Sequence, residues 1–170
     1  MRRFFTTIIF LFFIQVHVLF SNFQEDKETI ILGAELLQEF IPILENQRIG
    51  LVSNSSSIIR TKNEPVHLLD TLLKLNHKIK TVFAPEHGFL SDKENGALIK
   101  NNFDFERNIN IYSLYGKNKK PTSEQLKNID IMLFDLQDVG ARFYTYLSTL
   151  YYIMEACAEN NIPLIILDRP

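Results

Sequence analysis

Residues 130–170 read DIMLFDLQDVGARFYTYLSTLYYIMEACAENNIPLIILDRP. The run Ile131–Phe134 is continuously apolar and stops at Asp135. A strand with one wet face alternates apolar and polar residues, whereas one covered on both faces has no need to. Helical spacing follows over 143–161, where Leu147, Leu150, Tyr151, Met154 and Ala158 share a face. A second apolar run, 162–170, again reaches an acid, Asp168. Strand, helix and strand in this order predict parallel strands joined by a right-handed crossover.

The same grammar extends upstream. RIGLVS (48–53) and IKTVFA (79–84) are predicted strands. Between them, EPVHLLDTLLKLN (64–76) has helical spacing at Val66, Leu69, Leu72 and Leu73. ILGAELLQEFIPIL (31–44) reads as a first helix whose last turn is weakened by Pro42. Residues 90–108 form a polar loop with a short element inside, and 110–116 a short strand. Thr122 with Gln125 has the spacing of a capping box and opens a further helix. The fold class expected is α/β, a Rossmann-like, doubly wound and mostly parallel sheet.

A chain of 170 residues suffices for one domain. Its net charge of −2 supplies no basic surface for nucleic acid. Residues 1–21 begin with Arg2 and Arg3 and continue as an apolar stretch. They are expected to be a signal peptide removed near residue 21 or 22, or else an uncleaved membrane anchor. Export to the periplasm or the exterior follows, with 22–170 as the working part. Cys157 is the only cysteine, so no internal disulfide forms, and its helical setting predicts a buried small hydrophobe.

Polar residues collect after four strands: Asn54, then Glu86 with His87 in FAPEHGF (83–89), then Asp135–Asp138, then Asp168 with Arg169. Ligand crevices of open α/β sheets lie outside the carboxyl ends of the strands. His67, His77 and His87 have no metal-ligand spacing, and neither phosphate-loop nor dinucleotide glycines are present, so no metal or cofactor is expected. Carboxylates point instead to glycoside hydrolysis, where one carboxylic acid protonates the leaving oxygen. Glu86 lies among Phe83, Ala84, Pro85 and Phe89 and is the acid candidate; the alternatives are an exposed loop residue or an arginine partner.

In DLQDVGARFYTY (135–146), Asp135 and Asp138 can accept hydrogen bonds from sugar hydroxyls. Gln137 can donate and accept, Arg142 can hold a carboxylate, and Tyr144 offers ring surface with a polar tip. An Asp–Arg pair locking the turn is the structural alternative, and Tyr146 is expected in the core. Asp168 and Arg169 are either a ligand pair or a closing salt bridge. The lysines of 117–120 make a solvated face that an anionic ligand could use.

VFAPEHGF (82–89), IYSLYGKNKKPT (111–122), DIMLFDLQDVGARFYTYLSTLYYIMEA (130–156) and LIILDRP (164–170) together resemble the DUF1343 family, from about Leu32 to the last residue. The resemblance implies an exo-acting β-N-acetylmuramidase that releases N-acetylmuramic acid from the non-reducing end of peptidoglycan fragments, with such amino sugars as its partners. Glu86 matches the family's proposed catalytic glutamate. Asn54, His87, Asp138, Arg142 and Tyr144 would line the cleft, and Asp135 and Asp168 are candidates for a second carboxylate. Two loops depart from the family pattern: Leu90, Ser91 and Asn95–Ala97 replace an Arg–Gly and an Ala–Gly–Glu, and SNSSS (53–57) lacks a glycine. The family runs to roughly twice this size, so the chain is expected to hold its N-terminal half. It would then be half of a split enzyme with a separately encoded C-terminal half, or a truncated, sugar-binding remnant without turnover.

Overall fold

The apolar runs become strands of a six-stranded sheet. A computed structural model describes residues 30–86, 88, 89 and 101–170. The expected signal segment, His87 and the loop through residue 100 lie outside the described residues. In chain order the strands are β1 (Arg48–Ser53), β2 (Ile58–Ile59), β3 (Val66–His67), β4 (Lys78–Ala84), β5 (Asn102–Asp104), β6 (Ile109–Ser113), β7 (Ile131–Asp135) and β8 (Leu164–Ile166). The sheet order is β5-β6-β4-β1-β7-β8, and β2 with β3 forms a separate two-stranded ladder. Every pairing from β6 to β8 is parallel, while β5 runs antiparallel to β6 at the edge. The chain builds outward from β1 through β4 to β6, then returns to add β7 and β8 on the other side. The point where the order reverses therefore lies between β1 and β7, the place where such sheets open a crevice.

Burial on both faces explains the unbroken apolar runs. Ile49, Leu51, Ile131 and Leu133 point to one face, where they meet Leu68, Leu69 and Leu72 of α2 (Leu68–Lys74) and Phe40 of α1 (Leu37–Phe40). Val52, Met132 and Phe134 point to the other, beneath Leu126 of α3 (Ser123–Leu126) and Ile153, Ala156 and Cys157 of α4 (Tyr146–Glu159). Truncating a fully buried leucine here, such as Leu133, removes about 2–5 kcal/mol of stability. Thr122 caps α3 in the box expected from its spacing to Gln125. Burial pushes the Cys157 thiol up to about 11, in keeping with an inert core residue.

Val66 and His67, expected within the helix over 64–76, pair with β2 instead, and α2 starts at Leu68. Two further expectations need correction. Residues 31–44 do not form one helix. A 3₁₀ turn (Gly33–Glu35), the single turn α1 and a second 3₁₀ turn (Ile41–Leu44) replace it. Gly33 N–H donates to the carbonyl of Asp168 (2.8 Å), and a Cβ at Gly33 would lie 2.5 Å from the Asp168 amide nitrogen. Close backbone contact with the segment after β8 thus breaks the helical period at its start, and Pro42 breaks it at its end. The second correction concerns α4, whose buried stripe is Tyr146, Thr149, Ile153, Ala156 and Cys157. The more apolar stripe singled out by its spacing is outward: Leu147 is 71% exposed, Tyr151 64% and Met154 51%. Periodicity identifies stripes; the small Ala156 and Cys157 determine which one approaches the sheet.

Glu35 fastens the first turn. It accepts from Leu32 N–H and from the Arg60 guanidinium, which holds its carboxyl down at about 2. Arg48 likewise holds Asp130 at about 2. Carboxyls depressed on folding stabilise the fold above their unfolded pKa values and lose that contribution as the folded pKa is approached. The urea midpoint is therefore expected to hold from pH 7 to about 4.5, then fall toward pH 2. Arg60→Gln should flatten that fall. Gly33→Ala, forced against backbone, should cost about 1–3 kcal/mol by thermal melting. Gly140→Ala, at φ 68° but in open space, should cost about 1 kcal/mol.

Candidate functional site

At the carboxyl edge of the sheet, Ser53 pairs with Asp135 across β1 and β7, and Ala84 with Ser113 across β4 and β6. The residues that follow these strands are brought to one side. They divide into a buried network that holds the edge together and an open cleft beside it.

The buried network centres on Asp135, which has no solvent exposure. Arg169 donates to both of its carboxylate oxygens, Nε at 2.5 Å and Nη2 at 2.9 Å, and Nη2 donates also to the carbonyl of Ile58 (3.0 Å). Burial pushes the Asp135 carboxyl up against the opposing pull of this guanidinium. Ser57 Oγ donates to the Asp135 carbonyl (2.5 Å) and accepts from Asn54 N–H (3.2 Å). Asn54 is 2% exposed; its Nδ2 donates to the Tyr146 hydroxyl (2.9 Å) and its Oδ1 accepts from Ser56. His67 Nδ1 accepts from Leu69 N–H, so Nε2 carries the hydrogen and donates to the Asn54 carbonyl (2.8 Å). Asn54, Asp135 and Arg169 thus have their polar groups committed to one another and to the backbone. Burial also pushes the Tyr146 phenol up, and it sits in the core as its sequence setting suggested.

The cleft, about 490 Å³, lies between the chain after β6 and the first turns of α4. Leu114, Tyr115, Gly116 and Lys119 form one wall; Thr145, Ser148, Thr149 and Tyr152 form the other, at successive turns of one helical face. Glu86, half-buried after β4, joins the two: Thr145 Oγ1 donates to Glu86 Oε2 (3.0 Å), and Tyr115 interacts with the same carboxyl. The nearby Glu86 carboxyl, with burial, holds the Tyr115 phenol above its ordinary range. Glu86 takes a hydroxyl partner here.

The other expected residues are more open. Asp138 is exposed, accepts from Gly140 N–H (3.2 Å), and borders a smaller hollow of about 140 Å³ with Asp168, Arg169 and Tyr146. Gln137 Nε2 donates to the carbonyls of Asp138 and Arg169. Arg142 and Asp168 are exposed, while Tyr144 packs edge-on against Tyr146 at 5.0 Å. Tyr115 and Thr145 are the members that sequence reasoning passed over. The rule used for Asn54 and Glu86, a polar residue just past a strand, would have found Tyr115 behind β6. Among the described residues, no group of three His, Cys, Asp or Glu could hold a metal, and no helix is long and apolar enough to cross a membrane.

The family described as exo-beta-N-acetylmuramidase NamZ, N-terminal, matches residues 49–170. The chain belongs to this family. The peptidoglycan beta-N-acetylmuramidase NamZ of Bacillus subtilis (strain 168) is 44% identical over 135 residues, which are 79% of this chain and 32% of that protein. Two crystal structures of DUF1343 family proteins from Bacteroides fragilis NCTC 9343 superpose with TM-scores of 0.71 and 0.68 at 38% identity. They are matched over 82% and 84% of this chain and over 34% and 35% of their own. The matched part of the chain spans about a third of the length of these relatives.

Removing Arg169 would leave the Asp135 carboxyl buried without its partner. Arg169→Met should therefore cost about 3–5 kcal/mol in urea denaturation, whereas Asp135→Leu with Arg169→Met should recover much of the loss. Equal losses in the two proteins would contradict the pairing.

Proposed function

We propose that this chain supplies the N-terminal wall of the active site of an exo-acting glycoside hydrolase, which releases N-acetylmuramic acid from the non-reducing end of peptidoglycan fragments. The observation that carries the reading is the Glu86 carboxyl at the cleft, bonded by Thr145, in a chain of the NamZ family. Glu86 takes the part of the acid that protonates the glycosidic oxygen as the leaving sugar departs. Thr145 fixes its rotamer by a hydrogen bond, and Thr145 with the nearby Tyr115 hydroxyl stabilises the carboxylate once the proton has gone. Asp138 and the neighbouring His87 are the candidates for the group that guides water, unless the substrate's own acetamido oxygen assists. Gln137, Arg142, Tyr144 and Asp168 supply polar and ring surface for the rest of the sugar. Asn54, Asp135 and Arg169 serve the site as positioning residues, by holding the strand ends.

Turnover belongs to the assembly that includes the remaining part of the family's fold, whether continuous with this chain or separately encoded. Its seat is the outward stripe of α4 together with Ile166 of β8, which is 48% exposed. Apolar exposure on this scale marks a surface made to be covered. A sugar-binding module without turnover is the second reading, favoured by Asp138, the other candidate carboxylate, bordering the smaller hollow and not the cleft beside Glu86.

The test is release of N-acetylmuramic acid from its β-1,4 disaccharide with N-acetylglucosamine, by the chain alone and with its completing part. Glu86→Gln should abolish release. Thr145→Val and Tyr115→Phe should each lower kcat about ten- to a hundredfold, the worth of one hydrogen bond to a charged group. Binding of the sugar without release by the completed assembly would leave the second reading standing.

A further inference from the structure

The lysine run after β6 has two members in different situations. Lys120 Nζ donates to Glu155 (3.0 Å) and Glu159 (2.9 Å), one turn apart on α4. This double ion pair ties the loop to the helix across the end of the cleft. Lys119 lines the cleft itself, and it makes no ion pair or hydrogen bond among the described residues. The other side chains of the lining are hydroxyls and apolar groups: Leu114, Tyr115, Thr145, Ser148, Thr149 and Tyr152. The cleft therefore offers an unneutralised cation on a wall that is otherwise uncharged, with the Glu86 carboxyl held at its margin by Thr145 of the same lining.

We infer that Lys119 is a specificity-determining residue that reads a carboxylate on the bound sugar, the lactyl carboxylate carried on O3 of N-acetylmuramic acid. The inference rests on the amino-sugar reading proposed above and deepens it. N-acetylglucosamine is the same sugar without the lactyl ether, so a neutral hydroxyl-lined cleft would accept both. One ammonium on a flexible stem separates them, because a charge-assisted hydrogen bond forms with only one. The clamp at Lys120 limits how far the loop can move and keeps Lys119 over the cleft. Glu86 is held by Thr145 on the wall facing Lys119, which favours a sugar placed with its acid toward Lys119 and its glycosidic oxygen toward Glu86.

The experiment is calorimetric titration of the chain together with its completing part, using free N-acetylmuramic acid and free N-acetylglucosamine, which carry no glycosidic bond to hydrolyse. The wild type should bind the acid about ten- to a hundredfold more tightly. Lys119→Met should abolish that preference while leaving the affinity for N-acetylglucosamine unchanged. Lys119→Arg should retain most of it, and Lys117→Met, at the exposed neighbour outside the lining, should retain all of it. A preference that survives in Lys119→Met overturns the role of Lys119 and leaves amino-sugar binding intact. Equal binding of the two sugars by the wild type overturns carboxylate reading altogether. Binding of neither overturns the amino-sugar reading and this inference with it.

Discussion

The Asp135–Arg169 pair is the constraint on which the carboxyl edge of the sheet depends. Its members are 34 residues apart and both are nearly excluded from water, so each is tolerable only in the presence of the other. Through Arg169 the pair reaches the carbonyl of Ile58, and through the Asp135 carbonyl it reaches Ser57 and then Asn54. Asn54 in turn fixes Tyr146, the first residue of α4. One connected network thus joins the ends of β1 and β7, the chain after β8 and the helix that walls the cleft. Glu86 is not part of it, yet the helix start that holds Glu86 through Thr145 is anchored by it.

That division of labour follows from dielectric surroundings. A charge buried beneath the sheet edge acts on structure because every polar atom near it must be satisfied. A carboxyl at the margin of an open cleft can exchange protons with a ligand or with water. Both kinds of residue follow strands in the sequence, and both are acids beside aromatic rings. Asp135 accepts from a guanidinium that follows it much later in the chain, while Glu86 accepts from the Thr145 hydroxyl. The partner, more than the residue type, separates a fastening from a reactive group.

The strands were legible because parallel strands covered on both faces leave unbroken apolar runs, as in Ile131–Phe134. The N-terminal helix was not, since its interruption comes from a contact between Gly33 and Asp168 that no local pattern encodes. The site was legible as a set of strand ends but not as a division of roles. Nothing in DLQDVGARFYTY says that Asp135 turns inward to Arg169 while Asp138 stays exposed. Thr145 was hidden between two tyrosines that drew attention by their size. The lysine run was recognised as positive, but its split into a committed Lys120 and an uncommitted Lys119 depends on where Glu155 and Glu159 fall on α4.

The outward stripe of α4 completes the physical picture. A helix normally buries its most apolar face, yet here Leu147, Tyr151 and Met154 face outward while Thr149 faces in. Sequence selection on such a stripe requires something to cover it, and the relatives carry about twice again as much polypeptide as the matched region. The opposite face of the same helix supplies Thr145, Ser148, Thr149 and Tyr152 to the cleft. Covering the outer stripe would therefore press on the element that positions the cleft wall, so that completing the fold and fixing the site become one event. Thr145, at the start of that helix, already meets Glu86, so whatever holds the outer stripe also holds the wall that carries this contact.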